Sequence, residues 1–166
     1  MRIRLTLIAT ACLLPGAALP PEATLQSVYE CRHGIDASMA LLDGLTAEKT
    51  VDLGDANGRN IIRFFRPPAG LTVFGLKPAN LAANDTLVGT KRQVVLMSMI
   101  PLPYDQVEAT VLAANGLKAC PDPGGQGNTK ACVVYGRYSE PETPGLLLKD
   151  FGDAVGIGCG YTRTEG

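Results

Sequence analysis

The chain has 166 residues, 46% of them hydrophobic and 19% charged, with a formal net charge of −1. A mildly acidic balance without a Lys/Arg run argues against a nucleic-acid binder or a protein held to anionic membranes by basic charge. Beyond the first 18 residues, no stretch approaches the roughly 20 apolar residues that a membrane-spanning helix needs.

Arg2 and Arg4 form a positive n-region, an apolar run follows from Leu5 to Leu14, and Pro15-Gly16 leads into Ala17 and Ala18. This is the layout of a secretory signal peptide, with cleavage expected after Ala18. Residues 19–166 then form a single exported domain, periplasmic or secreted in a bacterium. Pro20-Pro21 argues against a buried N-terminal helix, because it would cut such a helix off from the fold that follows. Cys12 has a rival role as the lipidated residue of a lipoprotein. Ala9-Thr10-Ala11 supplies small residues beside it but no leucine three places ahead.

Ser27–Arg32 reads as a first strand. Asp36-Ala-Ser caps a short helix through Leu42, which Gly44 ends as a C′ residue. Asp55-Ala-Asn-Gly-Arg is turn chemistry leading into a strand over Asn60–Arg66. Pro67-Pro68-Ala-Gly70 makes the next turn, Leu71–Leu76 is the returning strand, and Pro78–Ala83 reads as a helical turn. Gln93–Ile100 is a continuous apolar run that suits a buried strand. From Pro103 to Asn115, apolar residues at helical spacing predict the clearest helix, stopped by Gly116. Strands over Ala131–Tyr138, Leu146–Lys149 and Ala154–Thr162 complete an α+β domain. The expected fold is a mostly antiparallel sheet with two or three short helices on one face. The order of elements suggests two β-α-β-β units.

Four cysteines remain after Cys12 is removed with the signal, and in an exported chain they form two disulfides. Cys120 and Cys132 enclose a Gly/Pro-rich loop, and Cys31 with Cys159 ties the first element to the last strand. That pairing is preferred among the three available.

Support for catalysis is thin. His33 is the sole histidine, which excludes a multi-histidine metal site, and no serine sits in a G-x-S-x-G elbow. Asp52 with Asp55, Glu140 with Glu142, and Asp150 with Asp153 fall in polar turns, where carboxylates bond backbone N–H groups. No metal, cofactor or catalytic residue is therefore assigned. Gly124-Gly125-Gln126-Gly127 lacks the Lys-Ser/Thr of a phosphate loop. It reads as a disulfide-stapled tip, and Gln126, Asn128 and Lys130 are the candidate contacts to another protein. In Val155–Tyr161, Gly156, Gly158 and Gly160 alternate with larger residues, so one strand face is bare. A helix or loop of the domain is expected to pack there, the alternative being an open face for a partner. The functional expectation is a protein-binding module, an inhibitor or immunity-type protein of an envelope-acting enzyme. Its alternatives are a structural component of an envelope or secretion assembly and a small envelope hydrolase using His33 or a carboxylate pair.

Overall fold

The computed structural model describes residues 23–54, 58–121, 123–125, 130–134 and 144–166. The expected signal, with Cys12, lies outside them. The first described element is a helix, α1 (Leu25–Tyr29), and not the strand expected over Ser27–Arg32. Thr24 is extended and its side chain accepts the Ser27 N–H, while the Ser27 hydroxyl accepts the Thr24 N–H. This reciprocal capping box satisfies donors that a short helix otherwise leaves open and outweighs the strand preference of Val28 and Tyr29. Cys31, at φ 60, turns the chain out of α1.

α2 spans Ile35–Asp43, one residue longer at each end than expected. Its N-cap is Gly34, which makes no side-chain bond, so Asp36 stands inside the first turn rather than capping it. Its charge there favours the helix dipole. Gly44 ends the helix at φ −77, a right-handed conformation, and is not a left-handed C′ residue. Gly116 is one, at φ 70. It follows α3 (Tyr104–Ala114), and beyond it the Leu117 N–H reaches back to the Leu112 carbonyl at 2.8 Å.

The strands are β1 (Lys49–Asp52), β2 (Gly58–Phe65), β3 (Asn80–Val88), β4 (Lys91–Ile100), β5 (Pro123–Gly124), β6 (Ala131–Val134), β7 (Gly145–Asp150) and β8 (Val155–Thr164). They form one eight-stranded sheet in the order β1-β2-β3-β4-β8-β7-β6-β5, and every pairing is antiparallel. Residues 135–138, the end of one expected strand, lie outside the described residues.

Three expectations are corrected by this topology. Leu71–Leu76 is not a strand, because Phe74 (φ 52) and Gly75 (φ 78) reverse the chain and Val73 pairs with Leu76 inside the segment. Two successive positive φ angles make a hairpin turn that a strand cannot contain. Asn80–Ala83 is extended, not helical, and belongs to β3, which pairs with β4 along its whole length and with β2 from Leu81 onward. The halves are not β-α-β-β units. Each is helical first and then four antiparallel strands, and the two halves meet where β4 pairs with β8.

Alternation divides the sheet into two faces. On one, Val94, Leu96 and Ile100 of β4, Leu146 and Leu148 of β7, and Val155, Ile157 and Tyr161 of β8 join Val28, Ile35, Leu42, Val107 and Val111 of the helices in one buried core. The two disulfides lock this face. Cys31 is joined to Cys159, and Cys120 to Cys132. Tyr161 crosses the same layer, donating to the His33 carbonyl at 3.1 Å and meeting the Ser38 hydroxyl at 3.2 Å.

Candidate functional site

Among the described residues, the chemistry weighed from sequence is committed to structure. His33 is half-buried and its Nε2 lies 2.8 Å from Ser27 Oγ, the contact a Ser-His pair would make. The Ser27 hydroxyl, however, has a single proton, and it also reaches the Thr24 carbonyl at 3.0 Å inside the capping box. His33 is a second clasp on α1. Asp52 and Asp150 each accept a backbone N–H two residues on, from Gly54 at 2.8 Å and Gly152 at 2.9 Å, as turn carboxylates do. Asp55, Glu140 and Glu142 lie outside the described residues. Glu108, Cys120 and Cys132 cluster as three potential metal ligands, but both sulfurs are spent in the disulfide.

Of the three loop residues singled out as contacts, Gln126 and Asn128 lie outside the described residues. Lys130 is exposed, and its amine bonds Asp105 Oδ1 at 2.6 Å above the Tyr104 ring, 5.5 Å from its centroid. It stands on the helix side of the sheet.

Also on that side is an ion network that sequence reasoning did not find. Asp85, nearly buried, accepts from Arg59 at 2.7 Å and from Arg92 at 2.9 and 3.0 Å. Arg92 and Arg163 are direct cross-strand partners, an arrangement of like charges that needs acids around it. Asp85 supplies one, and its hydrogen bond raises the pKa of Arg92. Asp36 and Glu165 supply the others, at 2.7 and 3.0 Å from Arg163. The network joins α2 to four strands and leaves each arginine already engaged.

The opposite face of the sheet is different in kind. No described helix packs on it, and its centre is an apolar trough of about 640 Å³. One cross-strand row gives its profile: Phe64 of β2, Ala82 of β3, Met97 of β4, Gly158 of β8 and Leu147 of β7. Phe64 and Leu147 bound the row, and between them Ala82 and Gly158 flank Met97, whose side chain reaches over the neighbouring Gly156. Beside it runs the row Ile62, Asn84, Val95, Gly160 and Gly145, which carries no side chain on β7.

The glycine stripe of β8 lies beneath side chains that line this trough, and Gly156 and Gly158 are buried. No described helix covers it, but Phe151, in the loop between β7 and β8, lies against one end of it. Neighbouring side chains lean over it: Met97 Cε and Phe151 Cε2 each lie 2.8 Å from where a Gly156 β-carbon would stand, and Leu147 Cδ1 lies 3.0 Å from that of Gly160. Gly158 has a separate reason to be glycine, since its β-carbon would fall 1.6 Å from the Leu96 carbonyl oxygen.

Charge is distributed unevenly between the two faces. Among the described residues, no outward-facing strand position carries Asp or Glu. Lys49 on β1, Lys91 on β4 and Lys149 on β7 are the charged ones, and all three are exposed. Lys49 pairs with Phe64 of one wall, and Lys149 follows two residues after Leu147 of the other. Asn80 and Asn84 add neutral polar groups to the lining. The lysines and asparagines were visible in the sequence, but only the register shows that they surround one apolar surface. No protein-family model matches the chain, and neither a curated protein nor a solved structure is similar to it.

Proposed function

We propose that the protein is an exported protein-binding module that holds a partner against the open face of its sheet, as an inhibitor or immunity-type protein of an envelope-acting enzyme. The observation that carries this reading is the trough itself, apolar across five strands and rimmed by polar groups. A sheet face of that composition gains free energy when covered, and an uncovered apolar patch of this kind marks an interaction surface. Two disulfides are compatible with an oxidising compartment, which supports export.

The proposal moves the main contact away from the 121–130 loop, because Lys130 stands on the other side of the sheet. Two variants separate the surfaces. Ala82→Arg places a long cation in the trough floor, and Asn84→Arg does the same one row along. The loop variant carries Ala in place of Gln126, Asn128 and Lys130. Oxidised protein covering residues 19–166 is immobilised and exposed to envelope extract of its host. A single stoichiometric partner retained by the wild type and by the loop variant, and lost with both arginine variants at unchanged melting temperature, is the expected result. Retention by the arginine variants overturns the reading. A set of co-purifying assembly subunits replaces the inhibitor reading with the structural one.

A further inference from the structure

We infer that the trough takes an amphipathic α-helix of the partner whose apolar stripe is flanked by acidic residues. This rests on the reading that the open face is the contact surface, and it specifies what that surface selects.

Width is the first argument. The walls at Phe64 and Leu147 stand four strand spacings apart, about 19 Å at roughly 4.8 Å each. A helix with its side chains is about 10–12 Å across, so it fits between these walls with room for flanking side chains. A single acyl chain would leave most of that width wet, and a flat bilayer surface cannot follow a concave floor. A helix laid there completes a helix-sheet-helix sandwich, a stable layer arrangement for a sheet apolar on both faces. Between the walls Met97, spread over Gly156, is a flexible side chain that can adjust to the knobs of an incoming helix.

Charge is the second argument. Lys49 stands just outside one wall and Lys149 on the other, and no outward-facing strand position among the described residues is acidic, so acids on either side of a helix's apolar stripe meet a lysine on both flanks. The same arrangement disfavours a second copy of this chain, because face-to-face stacking would bring lysines against lysines.

The chain has no tryptophan, so a peptide with one Trp in its apolar stripe reports binding by its own fluorescence. The probes are three designed helical peptides of about five turns. They share that stripe and differ in carrying Glu, Gln or Lys along its flanks. Titration into the oxidised domain is expected to show the Glu peptide bound about tenfold more tightly than the Lys peptide, with an affinity that falls as salt rises. The double variant Lys49→Glu/Lys149→Glu is expected to reverse the order. No binding of the Glu peptide, equal binding of Glu and Lys peptides, or unchanged binding to Ala82→Arg overturns the inference. So does binding of the domain to anionic phospholipid vesicles in preference to the peptide, or concentration-dependent dimerisation lost with Ala82→Arg. A partner captured by the wild type and lost with Ala82→Arg, while no peptide binds, removes the helix inference and leaves the open-face reading intact.

Discussion

Met97 on β4 lies over Gly156 on β8, its Cε 2.8 Å from the point where a β-carbon would be. Glycine weakens a strand through backbone entropy, and a neighbouring side chain spread over it recovers part of the loss by covering the bare backbone. The glycines thus shape the surface by omission, and the three of them are not equivalent.

Gly158 faces backbone and Gly160 faces a movable side chain. A β-carbon on Gly158 would stand 1.6 Å from the Leu96 carbonyl oxygen, so Gly158→Ala must separate β4 from β8. It is expected to cost about 3 kcal/mol, the upper part of the overpacking range. Gly160→Ala meets only Leu147 Cδ1 at 3.0 Å, which can rotate away. The reduced entropy of the unfolded chain offsets that contact, and the net change is expected within about 1 kcal/mol of zero. Chemical denaturation of both variants checks the contrast.

Glu30 does long-range work. Its buried carboxylate accepts the Phe74 N–H at 2.9 Å and the Gln26 amide at 2.9 Å, and pairs with Arg32 at 2.6 Å. The first of these bonds steadies a non-glycine residue at φ 52, an uncommon conformation. Glu30→Ala leaves a buried N–H without this acceptor and is expected to destabilise by about 2–3 kcal/mol. For a domain of this size the melting temperature then falls by about 8 °C. A loss below about 0.5 kcal/mol would show that water replaces the carboxylate.

Alkaline pH tests the packing of the core. Burial, helped by the negative charges of Glu108, Asp150 and Asp105, pushes the Tyr104 phenol up to about 12. Burial also raises Tyr29, against the opposing charge of Arg63. An acid whose folded pKa exceeds its unfolded value of 10.0 favours the fold while neutral. Its contribution is full below about pH 10 and is lost as pH rises toward 12. Unfolding free energy is expected to decline across that window, less steeply in Tyr104→Phe. Phenolate absorbance of the native protein should show titration delayed relative to the denatured chain.

The two disulfides close loops of very different length, with sequence separations of 128 and 12. In the chain-entropy account, replacing both Cys31 and Cys159 with Ala costs about 5 kcal/mol, against about 3 kcal/mol for the Cys120 and Cys132 pair. Thermal or urea unfolding of the two double variants checks the order. Equal losses would contradict the chain-entropy account for this domain.

What could be read from the sequence was whatever its apolar pattern decides alone. The runs in β4 and β8 and the helical spacing of α3 declare themselves because burial follows periodicity directly. α1 was misread because Val28 and Tyr29 favour strands, while the Thr24–Ser27 capping box that overrides them has Ser where Glu is usual. β3 was hidden by its composition. Asn80, Ala82, Ala83, Asn84 and Asp85 are poor strand formers, and the segment is extended because β2 and β4 bond it on both sides. The trough was half legible: alternating glycines announced a bare face, but what stands across from Gly158 depends on register. The pairing of Arg92 with Arg163, 71 positions apart in the chain, depends on it too.

The most direct test of the account is capture of the partner from envelope extract on wild-type domain, on Ala82→Arg and on the Gln126, Asn128, Lys130 triple-alanine variant, each checked for an unchanged melting temperature. The account requires the partner to be held by the wild type and the triple variant and lost from Ala82→Arg. A partner held by Ala82→Arg and lost from the triple variant would place the contact on the stapled loop and contradict it.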